Sequence, residues 1–366
     1  MWRFALNKLR VLQIITKGDW AGAQRVVYEI CKYIKENRNN EVDIELAVGD
    51  NGLLVHKLCE LGIKVYVLKF LRREINPYID YKGFREMKSL ISKGKYDVVH
   101  CHSTKAGILG RLAANKHKVE KVIYTVHGFW PIFRYKGLKR NIAIMIERFM
   151  AKKTTHMVFI SKSDIKIAKH FKIYNQKTSN LIYNSITLPE VVEGTLRSEL
   201  NLDGDVRIIG NISRVDDQKN PIRFVEIAKE YFNQYPDSNT VFIWIGDGPL
   251  MDKVNHLIDE YRIADKVHFI GFRDHAERYM VDFNLLVMTS NWEGVPITIL
   301  EAMGLHIPIL SSDVGGIREI IGKKSVYDLS LSNLEIVSKI NSSNKQIYNS
   351  YSNMPEKYID LYMSKS

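Results

Sequence analysis

The stretch NLLVMTSNWEGVPITILEAMGLHIPILSSDVGG, residues 284–316, reads as strand, loop, helix and strand. A short apolar run ends at Thr289, a loop carrying Trp292, Glu293 and Gly294 follows, and Pro296 stands where a helix begins. Its fixed φ and missing N–H suit the first helical position, so the spacing predicts that the amides of Ile297 and Thr298 stay open at a positive helix end, ready for a phosphate. Glu293 falls in the loop and Glu301 about one turn into the helix. A carboxylate there is poorly placed for a phosphate, but its two oxygens can accept from both hydroxyls of a ribose diol. The second apolar run, IPILSS, follows at helix-crossover distance, which is how parallel strands are joined.

Working outward, the same alternation fills the chain. VLQIIT, DIELAV, KVYVLKF, DVVHC, KVIYTV, HMVFIS and LIYNSI alternate with amphipathic segments at Ala23–Lys35, Leu53–Leu61, Tyr81–Lys93, Lys105–Asn115, Leu138–Lys153 and Lys162–Phe171. After a softer stretch, Thr187–Gly204, it restarts with VRIIGNI, TVFIWIG and KVHFIGF before the opening segment. This predicts an α/β protein of two Rossmann-like, doubly wound domains, residues 1–186 and 187–343. A final helix, Asn344–Met363, has Pro355 inside it, so a kink is expected near residue 354; that helix is placed to return to the first domain. In such sheets ligands bind beyond the carboxyl ends of the strands, which directs attention to the loops there.

A chain of 366 residues exceeds one ordinary core, and 45% hydrophobic with 26% charged residues is globular composition. Cys31, Cys59 and Cys101 have no metal or redox spacing, which points to a reducing, cytoplasmic setting. Polar residues interrupt the first sixteen residues, which read as a core strand and not a signal peptide. No run is long and apolar enough to span a bilayer. The net charge of +12 is segregated: residues 1–190 hold 35 Lys/Arg against 16 Asp/Glu, whereas 191–366 hold 18 against 25. Such asymmetry points to an anionic partner for the first half, a membrane surface or a nucleic acid.

NISRVDDQKN, residues 211–220, follows a strand and sets Arg214 five residues before Lys219. Two fixed cations in one loop suit a leaving diphosphate, on which charge accumulates as a glycosidic bond breaks, and they do so without a metal. TVHGFWP, residues 125–131, puts His127 just past a strand end, and KGDWAGAQ, residues 17–24, sets Gly22 at a helix start. IGDGPL and IGFRD place Gly246, Phe272 and Arg273 in two further strand-end loops.

Together these segments resemble the family 4 glycosyltransferases, retaining enzymes of the GT-B fold, over almost the whole chain. The resemblance carries specific implications. Glu301 would bind the donor ribose, Glu293 would address the donor sugar, and the backbone from Gly294 through Val295, Pro296 and Ile297 to Thr298 would hold the diphosphate with Arg214 and Lys219. His127 would contact the sugar from the first domain. Gly22 would let the first loop approach the diphosphate, although Ala21 replaces the family's preceding glycine; Ser213 likewise stands where glycine is usual before the arginine. Gly246, Phe272 and Arg273 would line the nucleotide pocket. The implied function is transfer of a hexose or N-acetylhexosamine from a nucleotide-diphosphate sugar, UDP-linked by resemblance, to a lipid-linked acceptor on undecaprenyl diphosphate, as in capsule, exopolysaccharide and O-antigen assembly. No cofactor or metal is expected. A sugar-nucleotide epimerase would need an acid-base pair that the sequence does not display, and a non-catalytic binding protein would be expected to lose Arg214, Lys219 or Glu301.

Two runs in the first half, residues 69–96 and 130–140, interleave basic with aromatic residues. Arg72, Arg73, Lys82, Arg85, Arg134 and Lys136 are the expected contacts to an anionic membrane face and the acceptor, giving a peripheral protein on the inner face of the membrane. No nucleic-acid-binding module is recognisable, so nucleic acid is not expected as a partner. Asp203-Gly204-Asp205 reads as a solvated turn and not a metal motif. His100 and His102 share one face of a strand as satisfied core groups, with Cys101 pointing the other way.

Overall fold

A computed structural model describes residues 8–129, 132, 135–187, 195–343 and 353–364. The chain divides into two compact units, Met1–Ile186 with Tyr351–Ser366, and Thr187–Ser350.

In the first unit β1 (Leu9–Ile15), α1 (Gly22–Asn37), β2 (Val42–Val48), α2 (Leu53–Glu60), β3 (Lys64–Val67), α3 (Pro77–Gly94), β4 (Val98–His102), α4 (Thr104–Lys116), β5 (Lys121–Val126), α5 (Gly137–Ala151), β6 (His156–Phe159), α6 (Lys162–His170) and β7 (Ser179–Leu181) alternate. The strands form one parallel sheet in the order β3-β2-β1-β4-β5-β6-β7. β1 and β4 are wholly or nearly buried, as strands covered on both faces must be. The direction of winding reverses between β1 and β4, so the loops after these strands splay apart at the sheet's carboxyl edge. Helix starts follow local chemistry. The Asn76 side chain accepts from the amides of Tyr78 and Ile79, both at 3.1 Å, and Pro77 fills the first helical position, so α3 begins four residues before the expected Tyr81. Ser161 accepts from the Asp164 amide at 2.9 Å and starts α6. A buried arginine ties the helices together: Arg111 donates to Gly107 and to Glu147 Oε2 (3.2 Å), with its guanidinium 3.9 Å from the Tyr124 ring centroid.

The second unit runs α7 (Thr195–Glu199), β8 (Arg207–Ile212), α8 (Pro221–Gln234), β9 (Thr240–Ile245), α9 (Met251–Tyr261), β10 (Val267–Phe269), β11 (Leu285–Met288), α10 (Ile297–Gly304), β12 (Ile309–Ser312), α11 (Ile317–Ile321), β13 (Val326–Tyr327) and α12 (Asn333–Ser342). Its parallel sheet is ordered β10-β9-β8-β11-β12-β13, with the reversal between β8 and β11. Trp244 is fully buried at its centre, stacked on Phe269 with ring centroids 5.4 Å apart and set edge-on to Phe224 at 5.2 Å.

The last described helix, α13 (Met354–Met363), belongs to the first unit. Pro355 stands in its first turn, where a missing N–H costs nothing, so the kink expected near residue 354 is replaced by a helix start; residues 344–352 lie outside the described part. α13 is pinned by its polar edge. Tyr33 Oη donates to Glu356 (2.6 Å), Tyr358 Oη meets Thr125 Oγ1 (2.9 Å), and Lys121 Nζ donates to the Tyr362 carbonyl (2.6 Å), one of the open carbonyls at the helix end.

Candidate functional site

In the second unit the loops after β8, β9, β11 and β12 are stitched into one surface at the sheet's carboxyl edge. The hydroxyl of Thr289 donates to the carbonyls of Lys219 (3.0 Å) and Asn220 (2.9 Å). Asn291 adds its amide to the Gln218 carbonyl (2.8 Å) and its side chain to the Asp217 carbonyl (2.7 Å). The core reaches this surface through Trp244, whose indole N–H donates to the Ser213 carbonyl at 2.8 Å, one residue before Arg214. Gly246 sits at φ +144° with its missing Cβ position only 2.0 Å from the Ser213 oxygen, so no larger residue fits. It also donates to the Gly271 carbonyl (2.9 Å), joining the loop of Phe272 and Arg273 to the same edge. Phe272 is exposed and Arg273 is held by Glu199 at 2.6 Å.

Lys219 and Glu293 meet directly, Nζ to Oε1 at 2.5 Å, with both side chains largely buried. Gln218 bridges the rest: its Oε1 accepts from Arg214 Nη2 (3.3 Å), while its Nε2 donates to the Trp292 carbonyl (3.1 Å) and Glu293 Oε2 (3.4 Å). Arg214 also pairs with Asp216 at 2.9 Å and remains about half exposed. The two cations anticipated for a diphosphate are therefore gathered in one place, but each already holds a carboxylate. Neither Gln218 nor Asp216 stood out in the sequence, although both lie inside the quoted loop; the role of Gln218 depends on Trp292 and Glu293, some 75 residues away, whereas Asp216 pairs locally with Arg214.

Pro296 is the N-cap of α10 (φ −65°, ψ 134°), not its first residue, so Ile297 and Thr298 are the first two helical positions. Those two amides precede any intrahelical acceptor. Thr298 Oγ1 donates to the Ile212 carbonyl at the end of β8 (3.2 Å), fixing the helix start against the Arg214 loop. Glu301 is buried one turn in. Beneath this loop Gly315 takes φ +59°, with its absent Cβ 2.1 Å from the Glu293 carbonyl oxygen, and Gly316 donates its N–H to the Gly294 carbonyl (2.9 Å). The Gly-Gly turn thus serves as the floor on which Glu293 and Gly294 rest. Among the described residues no group of three His, Cys, Asp or Glu side chains is arranged to hold a metal ion.

In the first unit Gly22 opens α1 after the N-cap Ala21. His127, past the end of β5, ends a buried polar chain. Gln13 Nε2 donates to Tyr362 Oη (2.7 Å), and Gln13 Oε1 accepts from His102 Nε2 (2.7 Å). Burial and the neighbouring rings of His100 and His127 push the His102 pKa well below its usual range, so the ring is neutral, with its proton on Nε2 and Nδ1 left as an acceptor. His127 Nε2 must then donate to His102 Nδ1, across 2.9 Å. His127 is itself lowered by burial to about 4, so it too is neutral and leaves Nδ1 as an acceptor. His100 is satisfied by Tyr362 Oη (2.7 Å) and Thr125 Oγ1 (2.8 Å), as a core histidine should be. His102 was visible as a core histidine, but its link to His127 and onward through Gln13 to Tyr362 was missed, because Gln13 lies 114 positions before His127 and Tyr362 235 beyond it.

Arg72, Arg73, Arg85 and Lys136 are exposed, and Lys82 lies over the Phe70 and Tyr78 rings. Arg134 lies outside the described residues. The apolar and aromatic partners beside them are only partly at the surface: Leu71 is buried and Phe84 packs against the core, whereas Tyr78 and Tyr81 are exposed.

Residues 20–188 match the family model Glycosyltransferase Family 4, and residues 192–331 match Glycosyl transferases group 1. The chain is 30% identical over 323 residues to the UDP-Gal:alpha-D-GlcNAc-diphosphoundecaprenol alpha-1,3-galactosyltransferase of Escherichia coli, covering 85% of this chain and 81% of the relative. It is 25% identical over 287 residues to the N,N'-diacetylbacillosaminyl-diphospho-undecaprenol alpha-1,3-N-acetylgalactosaminyltransferase of Campylobacter jejuni, covering 74% of this chain and 73% of the relative. Among solved structures, the Anabaena protein HepE in complex with UDP-glucose is similar in fold, with a TM-score of 0.76 at 17% identity over 91% of this chain and 89% of that one. With its two parallel α/β sheets and the strand-end loops described above, the chain belongs to glycosyltransferase family 4 and is a hexosyltransferase of the GT-B fold.

Proposed function

We propose that this enzyme moves a hexose or N-acetylhexosamine, with retention, from a UDP-linked donor to a saccharide carried on undecaprenyl diphosphate, in bacterial surface-polysaccharide assembly. The observation that carries the reading is the stitched surface of the second unit, where Arg214, Gln218, Lys219 and Glu293 adjoin the start of α10. In this reading the α10 amides and the two cations take the diphosphate as charge builds on it. Glu301 accepts from the ribose diol. The acceptor hydroxyl attacks the anomeric carbon on the side from which the diphosphate leaves, passing its proton to a departing phosphate oxygen. Glu293, released from Lys219 or shared with it, orients the sugar, and His127 accepts from a sugar hydroxyl through Nδ1. No metal is required, because positive charge is supplied by side chains and amides. The names of the relatives above support the reading: the Escherichia coli enzyme is named for a UDP-Gal donor, and both are named for diphosphoundecaprenol-linked sugars.

The acceptor brings the enzyme to the inner membrane face. In this reading the association is peripheral, through the basic first unit; no helix among the described residues is long and apolar enough to cross a membrane. Thermal shift against a panel of nucleotide sugars, followed by transfer assays on undecaprenyl-diphosphate acceptors with excess chelator, tests the reading. A selective rise with UDP-sugars and chelator-resistant transfer are expected. Activity lost in chelator and restored by magnesium or manganese overturns the metal-free part, and stabilisation by another base overturns the donor.

A further inference from the structure

Helix α5 presents two faces of opposite character. Inward it buries Ile144, Glu147 and Met150, and Glu147 is consumed by Arg111. Outward it exposes Leu138 (74%), Ile142 (43%), Met145 (62%) and Phe149 (54%). At about 100° per residue these four fall within an arc of about 60°, in a line about 16 Å long. No other helix among the described residues exposes more than two large apolar side chains. Scattered exposed apolar residues need no explanation, but a continuous stripe on one helix marks a contact surface.

The charges around the stripe say what that contact is. Lys139 and Lys153 border it on one side and Arg148 and Lys152 on the other, and Lys153 Nζ stands 5.0 Å from the Phe149 ring centroid. The helix's only carboxylate, Glu147, points into the core, so the outer face is apolar and cationic without a compensating acid. A narrow apolar line with long cationic side chains on both flanks fits a planar anionic interface. The apolar groups enter the acyl boundary while the lysines reach sideways to phosphates. α3, which carries Lys82 and Arg85, packs with α5 in the hydrophobic cluster around α4, so both helices belong to one layer of the first unit.

We propose that α5 is the bilayer-docking element of this enzyme, lying in the interface plane with Leu138, Ile142, Met145 and Phe149 inserted below anionic lipid headgroups. The inference rests on the peripheral membrane reading and names the surface responsible. It goes beyond what the basic-aromatic runs alone indicate, since those cover residues 69–96 and 130–140 and so reach only the first turn of α5, without Ile142, Met145 or Phe149.

The test is co-sedimentation of the full chain with phosphatidylcholine vesicles, with and without phosphatidylglycerol, for the parent and the triple variant Leu138→Ser, Met145→Ser, Phe149→Ser. All three side chains already face water, so the fold has little to lose; an unchanged UDP-induced thermal shift verifies this. The expected result is a loss of at least about tenfold in partitioning onto anionic vesicles. A single Phe149→Trp variant should keep binding and show a blue-shifted difference spectrum on vesicles. Equal partitioning of parent and triple variant overturns the assignment of α5. So does a loss of binding produced only by charge reversal at Arg72, Arg73 and Lys82, which would leave the peripheral reading standing. A parent that ignores vesicles altogether overturns that underlying reading as well. A parent dimer that the triple variant abolishes, with vesicle binding unchanged, assigns the stripe to a second copy of the chain instead.

Discussion

Glu293 and Glu301 are eight residues apart yet meet different surroundings, and they should fail differently. In the proposed site Glu301→Ala removes the acceptor for two ribose hydroxyls, each such bond to a charged group being worth about 1.5–3 kcal/mol, so nucleoside-diphosphate affinity should fall by at least about tenfold. Glu293→Ala strips Lys219 of its carboxylate partner at 2.5 Å. The ammonium is then free for phosphate, so affinity should hold or rise while turnover falls. Calorimetry with UDP beside steady-state kinetics on both variants checks this; equal losses of affinity defeat the division of roles. A second expectation concerns His127, whose proton is placed on Nε2 by Gln13 acting through His102. Gln13→Leu removes that constraint. Nitrogen-15 spectra should show His127 changing from one tautomer to a mixture, with kcat reduced and UDP affinity intact. A tautomer unchanged by Gln13→Leu would assign the polar chain to stability alone.

At the scale of elements, the parallel strands and most helices were legible because apolar runs alternate with amphipathic segments along nearly the whole chain. What could not be read was set by partners distant in sequence. β7 is Ser179–Leu181 and not the more apolar LIYNSI, because pairing with β6 decides which residues join the sheet. Ile142 and Met145 look like core residues of an amphipathic helix, and only the packing of Ile144, Glu147 and Met150 reveals that they face outward. Likewise the glutamates and the cations of the site were visible as residue types, but the Lys219–Glu293 pair was not, since 74 positions separate its members. The Gly-Gly turn is the element most open to a direct test. Gly315 needs a positive φ and leaves no room for a methyl group beside the Glu293 carbonyl. Gly315→Ala should displace the loop, costing about 1–3 kcal/mol in stability of the second unit and a larger proportion of activity. Differential scanning calorimetry with kinetics measures both; a variant of full activity would show that the floor under Glu293 is not needed.

For the molecule as a whole, acid is the condition to which the first unit is most exposed. His100, His102 and His127 are all neutral when folded, their pKa values lowered chiefly by burial, His127 to about 4. An unfolded histidine titrates near 6.5, so the unfolded chain binds more protons below that value. Stability is therefore full above about pH 6.5 and declines as pH falls toward the folded values, by up to about 1.4 kcal/mol per pH unit for each ring. Urea melts between pH 7 and 5 that followed the first unit and found a flat profile would contradict this.

The first unit also depends on a helix from the far end of the chain. Gln13, Thr125, His100 and Lys121 find partners on residues 358–364, more than 170 positions after β7 ends. During synthesis the sheet emerges from the ribosome with those buried polar groups unanswered, and its interior is completed only after the entire second unit has been made. A chain cut short before residue 358 would carry an intact second unit attached to a first unit with an unsealed core, a product suited to removal by proteases.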